Sequence, residues 1–218
     1  MRRSLAQVLS TATLVSLAVG CAMNKAEKGA IIGAGAGGAA GAVIGHATGS
    51  TVRGAIIGAA VGGVAGAVIG HQMDKQAQEL AYELPGATVQ RVGEGITVTF
   101  PDGLLFGFDS DQLDAGARDH LRTFAASLSK YPNTRTLIVG HTDSQGSTAY
   151  NMDLSNRRAL SAARFITGEG IARARICTAG RGEAEPIATN TEEEGRRQNR
   201  RIEIAIYADS VTTSGSGN

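Results

Sequence analysis

Hydrophobic and polar positions in the second half of the chain follow two periods, one typical of strands and one of helices. Alternation on both sides of Gly93-Glu94-Gly95 predicts a β-hairpin. The predicted strands cover residues 87–92, 96–100, 104–108, 136–139, 175–180 and 201–207. The predicted helices cover residues 113–130 and 147–169, with a short one after Thr191. This order predicts an α+β fold in which two main helices pack on one mixed β-sheet.

Polar residues at the start of the second long helix form a candidate site. Asn151 and Arg158 are seven positions apart and therefore stack on one helix face, away from the apolar stripe formed by Met152, Ala159, Ala163 and Ile166. Asp143 lies in the preceding loop, where its carboxylate is expected to stay exposed. A guanidinium binds a carboxylate in a bidentate manner and an aspartate pairs with an ammonium. The pattern predicts a rim that suits a zwitterion and contains no catalytic nucleophile.

Four sequence blocks around this site resemble a known family. They are Gly-His-Thr-Asp at 140–143, Asn151, Leu154-Ser155-x-x-Arg158-Ala159 and Asn199-Arg200-Arg201-Ile202-Glu203. These blocks are similar to the motifs of the OmpA-like peptidoglycan-binding domain, and the resemblance covers residues 87–208. It implies an OmpA-like C-terminal domain that binds the cell wall.

The resemblance also implies roles for individual residues. Asp143 is expected to bind the ammonium and Arg158 the carboxylate of diaminopimelate in the peptide stem of the wall. Thr142, Asn151 and Leu154 are implied as further ligand-binding residues.

Two regions distant in sequence complete the expected site. The block Phe106-Gly107-Phe108-Asp109 resembles the family's segment before its first helix, and Asp111 in the loop that follows is expected to make a polar contact. Arg200 or Arg201 either points toward the ligand carboxylate or braces the sheet, and Arg201 is included among the predicted site residues.

A glycine-rich repeat occupies the first third of the chain. The segments Gly29–His46 and Gly54–His71 match at 15 of 18 positions, and in each of them glycine recurs at every fourth position. This spacing is the small-xxx-small pattern of closely packed helices, and the turn-like residues 48–51 predict a helical hairpin. The sequence leaves three outcomes open: a membrane-inserted hairpin, an oligomerising zipper that pairs copies of the chain, or a flexible spacer.

Residues 1–20 read as a secretory signal with a basic start at Arg2 and Arg3. The segment Leu17-Ala18-Val19-Gly20-Cys21 resembles the bacterial lipoprotein cleavage box, which implies lipidation of Cys21 and anchoring in outer-membrane lipid. The predicted boundaries are a signal peptide at 1–20, a lipidated N-terminus at 21–28, a glycine-zipper hairpin at 29–71, a linker at 72–86, the OmpA-like domain at 87–208 and a disordered tail at 209–218.

Composition excludes several other functions. The formal net charge of +1 includes Arg2 and Arg3, so the rest of the chain has a net charge of −1, which gives no electrostatic case for nucleic acid. The four histidines lack metal-ligand spacing, and His141 and Ser144 share one short loop without a third group to orient them. We therefore expect no metal, no cofactor and no catalysis.

Cys177, in an apolar strand context, is expected to be a small buried hydrophobe.

The sequence thus predicts an outer-membrane lipoprotein whose periplasmic C-terminal domain binds peptidoglycan non-covalently and tethers the membrane to the wall. One alternative is an oligomeric, membrane-inserted glycine-zipper channel or secretion component anchored by the same domain. A flagellar-stator-like protein is a further alternative, but it would need an ionisable residue in a full N-terminal span, and residues 4–20 contain none.

Overall fold

The computed structural model describes residues 49–62, 67–107 and 109–209, without the side chains of residues 60–69. The predicted signal segment, Cys21, the first glycine-rich copy and the tail after Asp209 lie outside the described residues. The strands are β1 (Thr88–Val92), β2 (Gly95–Pro101), β3 (Thr134–His141), β4 (Ile176–Gly182) and β5 (Arg201–Ala208). The helices are α1 (Thr51–Gly62), α2 (Ala67–Glu83), α3 (Asp102–Leu105), α4 (Ala115–Lys130), α5 (Thr148–Gly168) and α6 (Glu193–Asn199).

The five strands form one mixed sheet in the order β1-β2-β5-β3-β4. Strands β3 and β4 are parallel and are connected through α5, whereas β5 pairs antiparallel with both β2 and β3. The predicted α+β fold with two long helices on a mixed sheet is confirmed. This order places the carboxyl end of β3 next to the start of β5, so Asp143 and the Asn199–Glu203 block meet at one edge.

Residues 104–107 do not form the strand that was predicted over residues 104–108, of which residue 108 lies outside the described residues. Proline has no backbone N–H and cannot extend a sheet ladder, and β2 ends at Pro101. Asp102 begins the one-turn helix α3, in which the Phe106 N–H donates to the Asp102 carbonyl over 2.8 Å. The turn buries Leu105 and Phe106 and brings the carboxylate of Asp102 to the helix side of the sheet.

The main core lies between the sheet and helices α2, α4 and α5. Its largest fully buried side chains include Phe100, Phe124, Leu121, Ile138 and Ile166. Of the stripe predicted on α5, Ala159, Ala163 and Ile166 belong to this core, whereas Met152 is only half-buried because it lies at the exposed start of the helix.

The predicted linker, residues 72–86, is part of this core. Helix α2 buries apolar side chains at the helical spacing of Met73, Ala77, Leu80 and Leu84. Gln76 is also buried and donates from Nε2 to Ser127 Oγ of α4 over 3.2 Å. The polar composition of the segment conceals this stripe in the sequence.

Helix α1 covers the other face of the sheet. Its residues Val52 and Ile56 pack on a second apolar cluster formed by Leu137, Val139, Cys177, Ala205 and Tyr207. The approach is close: a Cβ at Gly95 would lie 2.7 Å from Ile56 Cγ2. Cys177 is buried there as predicted. The start of the second glycine-rich copy therefore belongs to the folded domain.

Candidate ligand-binding site

Two glycines in the strands allow α5 to lie directly on the sheet. A Cβ at Gly140 would lie 2.1 Å from the carbonyl oxygen of Ser155, and one at Gly180 would lie 2.5 Å from Ser155 Oγ. No larger residue fits at Gly140 without moving the helix backbone. This contact fixes the helix that carries Asn151 and Arg158 against the strand that leads to Asp143.

The loop between β3 and α5 is held by its own polar groups. Thr142 donates its N–H to the Gly182 carbonyl over 2.9 Å, and Asp143 Oδ1 accepts from the Gln145 N–H over 2.9 Å. Asn151 donates from Nδ2 to the Asp143 carbonyl and to Glu183 Oε2. Ser147 caps α5 by accepting from the Tyr150 N–H. These bonds fix the position of the Asp143 carboxylate.

Asp143 is buried, contrary to the expectation of an exposed carboxylate, and only 5% of its surface remains accessible. Its Oδ2 lies 2.6 Å from Nη1 of Arg200, which also pairs through Nη2 with Glu193 Oε1 over 2.7 Å. The arginine neutralises the charge that burial would otherwise disfavour.

Arg158 is also buried and held on three sides. Its Nη2 lies 2.8 Å from Asp102 Oδ2, its Nε donates to the Ser110 carbonyl over 2.9 Å, and its guanidinium carbon lies 5.3 Å from the centre of the Phe106 ring. Among the described residues none accepts a hydrogen bond from Nη1. Both N–H groups of this nitrogen are therefore left to bind a ligand.

Burial changes the proton affinity of this pair. Burial raises the pKa of Asp102 to about 6, although the charges of Arg158 and Arg200 act in the opposite direction. Burial also lowers the pKa of Arg158, a shift that Asp102 opposes. The two groups keep each other charged at neutral pH in a site that disfavours either charge alone.

The two ion pairs are joined through the backbone. The Asp102 N–H donates to the Arg200 carbonyl over 3.0 Å, so the residue that pairs with Arg158 is attached to the residue that pairs with Asp143. The four charges Asp143, Arg200, Asp102 and Arg158 alternate in sign within one region. This arrangement can receive a group that carries both an ammonium and a carboxylate.

The remaining predicted residues have different surroundings. Thr142 and Leu154 are buried beside the loop, and Asp111 is partly exposed, with its Oδ2 3.4 Å from Nε of Arg157. Arg201 is directed away from Asp143: it binds Glu203 Oε1 over 2.7 Å and the carbonyls of Asn199 and Glu185. It braces the sheet, and the neighbouring Arg200 occupies the position at Asp143.

Sequence reasoning missed Asp102 and Tyr150 as residues near the site. Asp102 was missed because it lies between two segments predicted as strands, residues 96–100 and 104–108, although an acidic residue directly after Pro101 is a common helix start. Tyr150 is an exposed aromatic residue at the first turn of α5, and its hydroxyl contacts Asp109 Oδ1. Asp109 has a positive φ of 54°, a conformation that aspartate tolerates better than most residues.

His141 lies beneath the loop and does not face the site. It is 1% exposed, and neither ring nitrogen has a hydrogen-bond partner within the described part of the chain. Burial, together with the charges of Arg201 and Arg181, lowers the pKa of His141 well below its ordinary value. It is therefore a neutral core residue at physiological pH.

Comparison with known proteins agrees with this architecture. Residues 105–200 match the model of the OmpA family, and residues 1–74 match that of the YMGG-like glycine zipper. The C-terminal part of the chain is therefore similar to OmpA-family domains. Helix α1 belongs both to the glycine-zipper match and to the fold of the C-terminal domain.

Individual relatives share this domain. The chain is 38% identical over 136 residues to the probable lipoprotein YiaD of Escherichia coli, covering 62% of each chain. It is 38% identical over 103 residues to the peptidoglycan-binding protein ArfA of Mycobacterium bovis, covering 47% of this chain and 32% of ArfA. The chain thus spans less than two thirds of either relative.

A solved structure with the same fold is that of the cell wall anchor of the T6SS from Pseudomonas aeruginosa. It is 30% identical, has a TM-score of 0.56, and the match covers 62% of this chain and 97% of that one.

Proposed function

We propose that this chain is a bacterial envelope protein that binds peptidoglycan non-covalently through its OmpA-family domain. The proposal rests on two ion pairs, Asp143 with Arg200 and Arg158 with Asp102. A backbone hydrogen bond between Asp102 and Arg200 holds the two ion pairs next to each other. The names of two similar proteins, a peptidoglycan-binding protein and a cell wall anchor, support the same ligand.

The ligand in this proposal is the free amino-acid end of diaminopimelate in the peptide stem. Its ammonium approaches the Asp143 carboxylate, and its carboxylate accepts from Nη1 of Arg158. Both protein groups are fixed before binding, because Asn151 and Gln145 hold the loop of Asp143 while Asp102, Ser110 and Phe106 hold Arg158. Such preorganisation lowers the entropic cost of binding. No covalent step is involved.

We further propose that Cys21 is lipidated and anchors the protein in the outer membrane, with the domain in the periplasm. The cleavage-box-like segment before Cys21 and the similarity to a probable lipoprotein support this placement. A second copy of the chain is a further partner that the first glycine-rich copy, Gly29–His46, could recruit.

The alternative of a membrane-inserted zipper channel is not favoured. The apolar side chains of Val52, just before the second zipper copy, and Ile56, at its start, are already buried on the sheet. Within the described ranges, every helix is too short or too polar to cross a membrane.

A wall-binding assay with a conservative substitution tests the proposal. Asp143→Asn keeps the shape of the side chain and its bond to the Gln145 N–H but removes the charge that an ammonium needs. Because charge-assisted hydrogen bonds contribute about 1.5–3 kcal/mol, we expect wall affinity to fall at least about tenfold. The measurement is co-sedimentation of the full chain in detergent with purified, diaminopimelate-containing walls.

Asp153→Asn provides a matched control. Asp153 is also on α5, but its side chain is 63% exposed and, among the described residues, pairs only with Arg157. We expect this variant to sediment with walls as the unmodified protein does. Equal sedimentation of the Asp143→Asn variant and the unmodified protein would contradict the proposed function.

A further inference from the structure

A cavity of about 650 Å³ opens between α4 and α5 beside the loop that carries Asp111. Its lining includes Arg118 and Arg122 of α4, Ser161, Arg164 and Phe165 of α5, and Asp111 itself. The volume is sufficient for a short peptide or a sugar. None of the interactions that fix Asp143 or Arg158 involves the helix residues of this lining.

The lining of the cavity carries an excess of positive charge. Of its three guanidiniums, that of Arg122 lies near the carboxylates of Asp119 and Glu169. Three guanidiniums face one carboxylate, whereas the chain as a whole is close to neutral. Across residues 49–62, 67–107 and 109–209, the guanidiniums of Arg118 and Arg164 have no ion-pair or hydrogen-bond partner. Arg122 is oriented by Asp119 Oδ1 at 2.6 Å and lies 5.8 Å from the centre of the Phe165 ring.

The position of Arg118 is unfavourable for the helix that carries it. It is the fourth residue of α4, close to the positive end of the helix dipole, where acidic residues are stabilising and cations are not. The arginine therefore does not serve helix stability at this position. The dipole and the guanidinium add their positive potentials at the mouth of the cavity.

The cavity is continuous with the proposed wall-binding site through one loop. Ser110 accepts a hydrogen bond from Arg158, and the next residue, Asp111, lines the cavity and lies 3.4 Å from Arg157. A ligand whose zwitterionic end is held at Arg158 can therefore extend past Asp111 toward Arg118 and Arg164.

We propose that this cavity binds a second carboxylate of the same peptide stem, on a residue adjoining diaminopimelate. This inference rests on the proposed function, because the ligand is the stem that Asp143 and Arg158 hold. Arg118 and Arg164 supply unpaired guanidinium forks, which suit a planar carboxylate, and Phe165 supplies an apolar wall for the peptide. The cavity thereby adds selectivity for stems that keep this carboxylate free.

The test compares two soluble peptides: a stem tripeptide of alanine, glutamate and diaminopimelate, and the same tripeptide with its free glutamyl carboxylate amidated. Calorimetric titration of the full chain in detergent measures both affinities. We expect the unmodified protein to bind the peptide with the free carboxylate about fivefold more tightly than the amidated one. Two partly solvated ion pairs together contribute a difference of about this size. The double variant Arg118→Gln, Arg164→Gln should bind both peptides equally, with the affinity that the unmodified protein shows for the amidated one.

A control with the same change in net charge is Arg53→Gln, Arg197→Gln, which removes two exposed arginines outside the cavity. It should keep the fivefold preference. The inference is overturned if the cavity variant keeps the preference, or if cavity and control variants lose affinity for both peptides alike. Binding of neither peptide by the unmodified protein, or undiminished binding of both by Asp143→Asn, would instead overturn the proposed function together with this inference.

Discussion

At the scale of single residues, Asp102 is the residue for which we expect a substitution to affect stability and binding in opposite directions. Its side chain is 11% exposed and lies 2.8 Å from Arg158, so it orients the arginine that is proposed to bind the stem carboxylate. Burial raises its pKa to about 6 from the ordinary 3.8. The folded protein therefore holds the Asp102 proton more tightly than the unfolded chain does. The stability that this proton contributes is complete below pH 3.8 and is lost as the pH rises through about 6.

This linkage predicts the behaviour of Asp102→Asn, a neutral side chain of the same shape. At pH 4 we expect it to unfold with nearly the same free energy as the unmodified protein. At pH 7 we expect the variant to be more stable by about 2–3 kcal/mol, because the pKa of Asp102 is shifted by about two units and one unit corresponds to about 1.4 kcal/mol. Its wall binding should fall at pH 7, because Arg158 loses the charged partner that orients it. At pH 4 it should differ little from that of the unmodified protein, in which Asp102 is already protonated.

Urea denaturation of the full chain at both pH values measures the stability, with Asp153→Asn as the exposed control. A variant that is less stable than the unmodified protein at pH 7, with the same deficit at pH 4, would show that the carboxylate stabilises the fold.

The predictability of the site also differs from residue to residue. Asp143 and Arg158 were identified because they lie in spaced motifs on either side of one predicted loop–helix junction. Their partners Asp102 and Arg200 come from the two flanking strand ends, and single-sequence periodicity does not show which strand ends meet. Between the adjacent arginines Arg200 and Arg201, only the register of β5 decides which one reaches Asp143, and the pairing of His141 with Arg201 fixes it.

At the scale of secondary structure elements, the long helices and the strands that bury alternate residues were predictable from their periods. Helix α2 was interpreted as a linker because its polar residues outnumber the buried stripe. Helix α1 was predicted to be part of a glycine-zipper hairpin because glycine at every fourth position indicates close packing without indicating the partner. In the structure the partner is the sheet of the same domain.

Polar contacts also hold the N-terminus of α1 on the domain. Glu185 accepts from both the backbone N–H and the hydroxyl of Thr51, over 3.1 and 2.5 Å, and thus places a carboxylate at the positive end of the helix. Arg181 donates from Nε to the same hydroxyl over 2.6 Å. Polar contacts at one end and Val52 and Ile56 along the helix together keep α1 on the sheet.

Two neighbouring isoleucines test this docking. Ile56 is buried against the sheet and Ile57 is 38% exposed, so Ile56→Asp should detach α1 and Ile57→Asp should not. Burying an isoleucine side chain stabilises by about 1.5–3 kcal/mol, and a buried carboxylate adds a further cost. The measurement is limited trypsin digestion of the full chain, which should cleave after Arg53 faster in Ile56→Asp alone. Identical digestion of the two variants would contradict the docking.

At the scale of the whole molecule, the structure places the site and the zipper helix on one folded unit. Residues 67–86 and helix α1 lie within the fold, so a fragment that begins at residue 80 would lack Met73 and Ala77 of the core. Experiments on the domain therefore require the full chain. The first glycine-rich copy lies outside the described residues, and the proposal of a second copy of the chain as a partner concerns that segment.

We propose that the domain recognises both charges of the diaminopimelate end. Calorimetric titration of the full chain with two stem tripeptides, one ending in diaminopimelate and one in lysine, tests it most directly. Lysine keeps the side-chain ammonium but lacks the neighbouring carboxylate, so only Asp143 can engage it. We expect the lysine peptide to bind at least about tenfold more weakly than the diaminopimelate peptide, because the charged contact to Arg158 is lost. Equal affinity for the two peptides would contradict it.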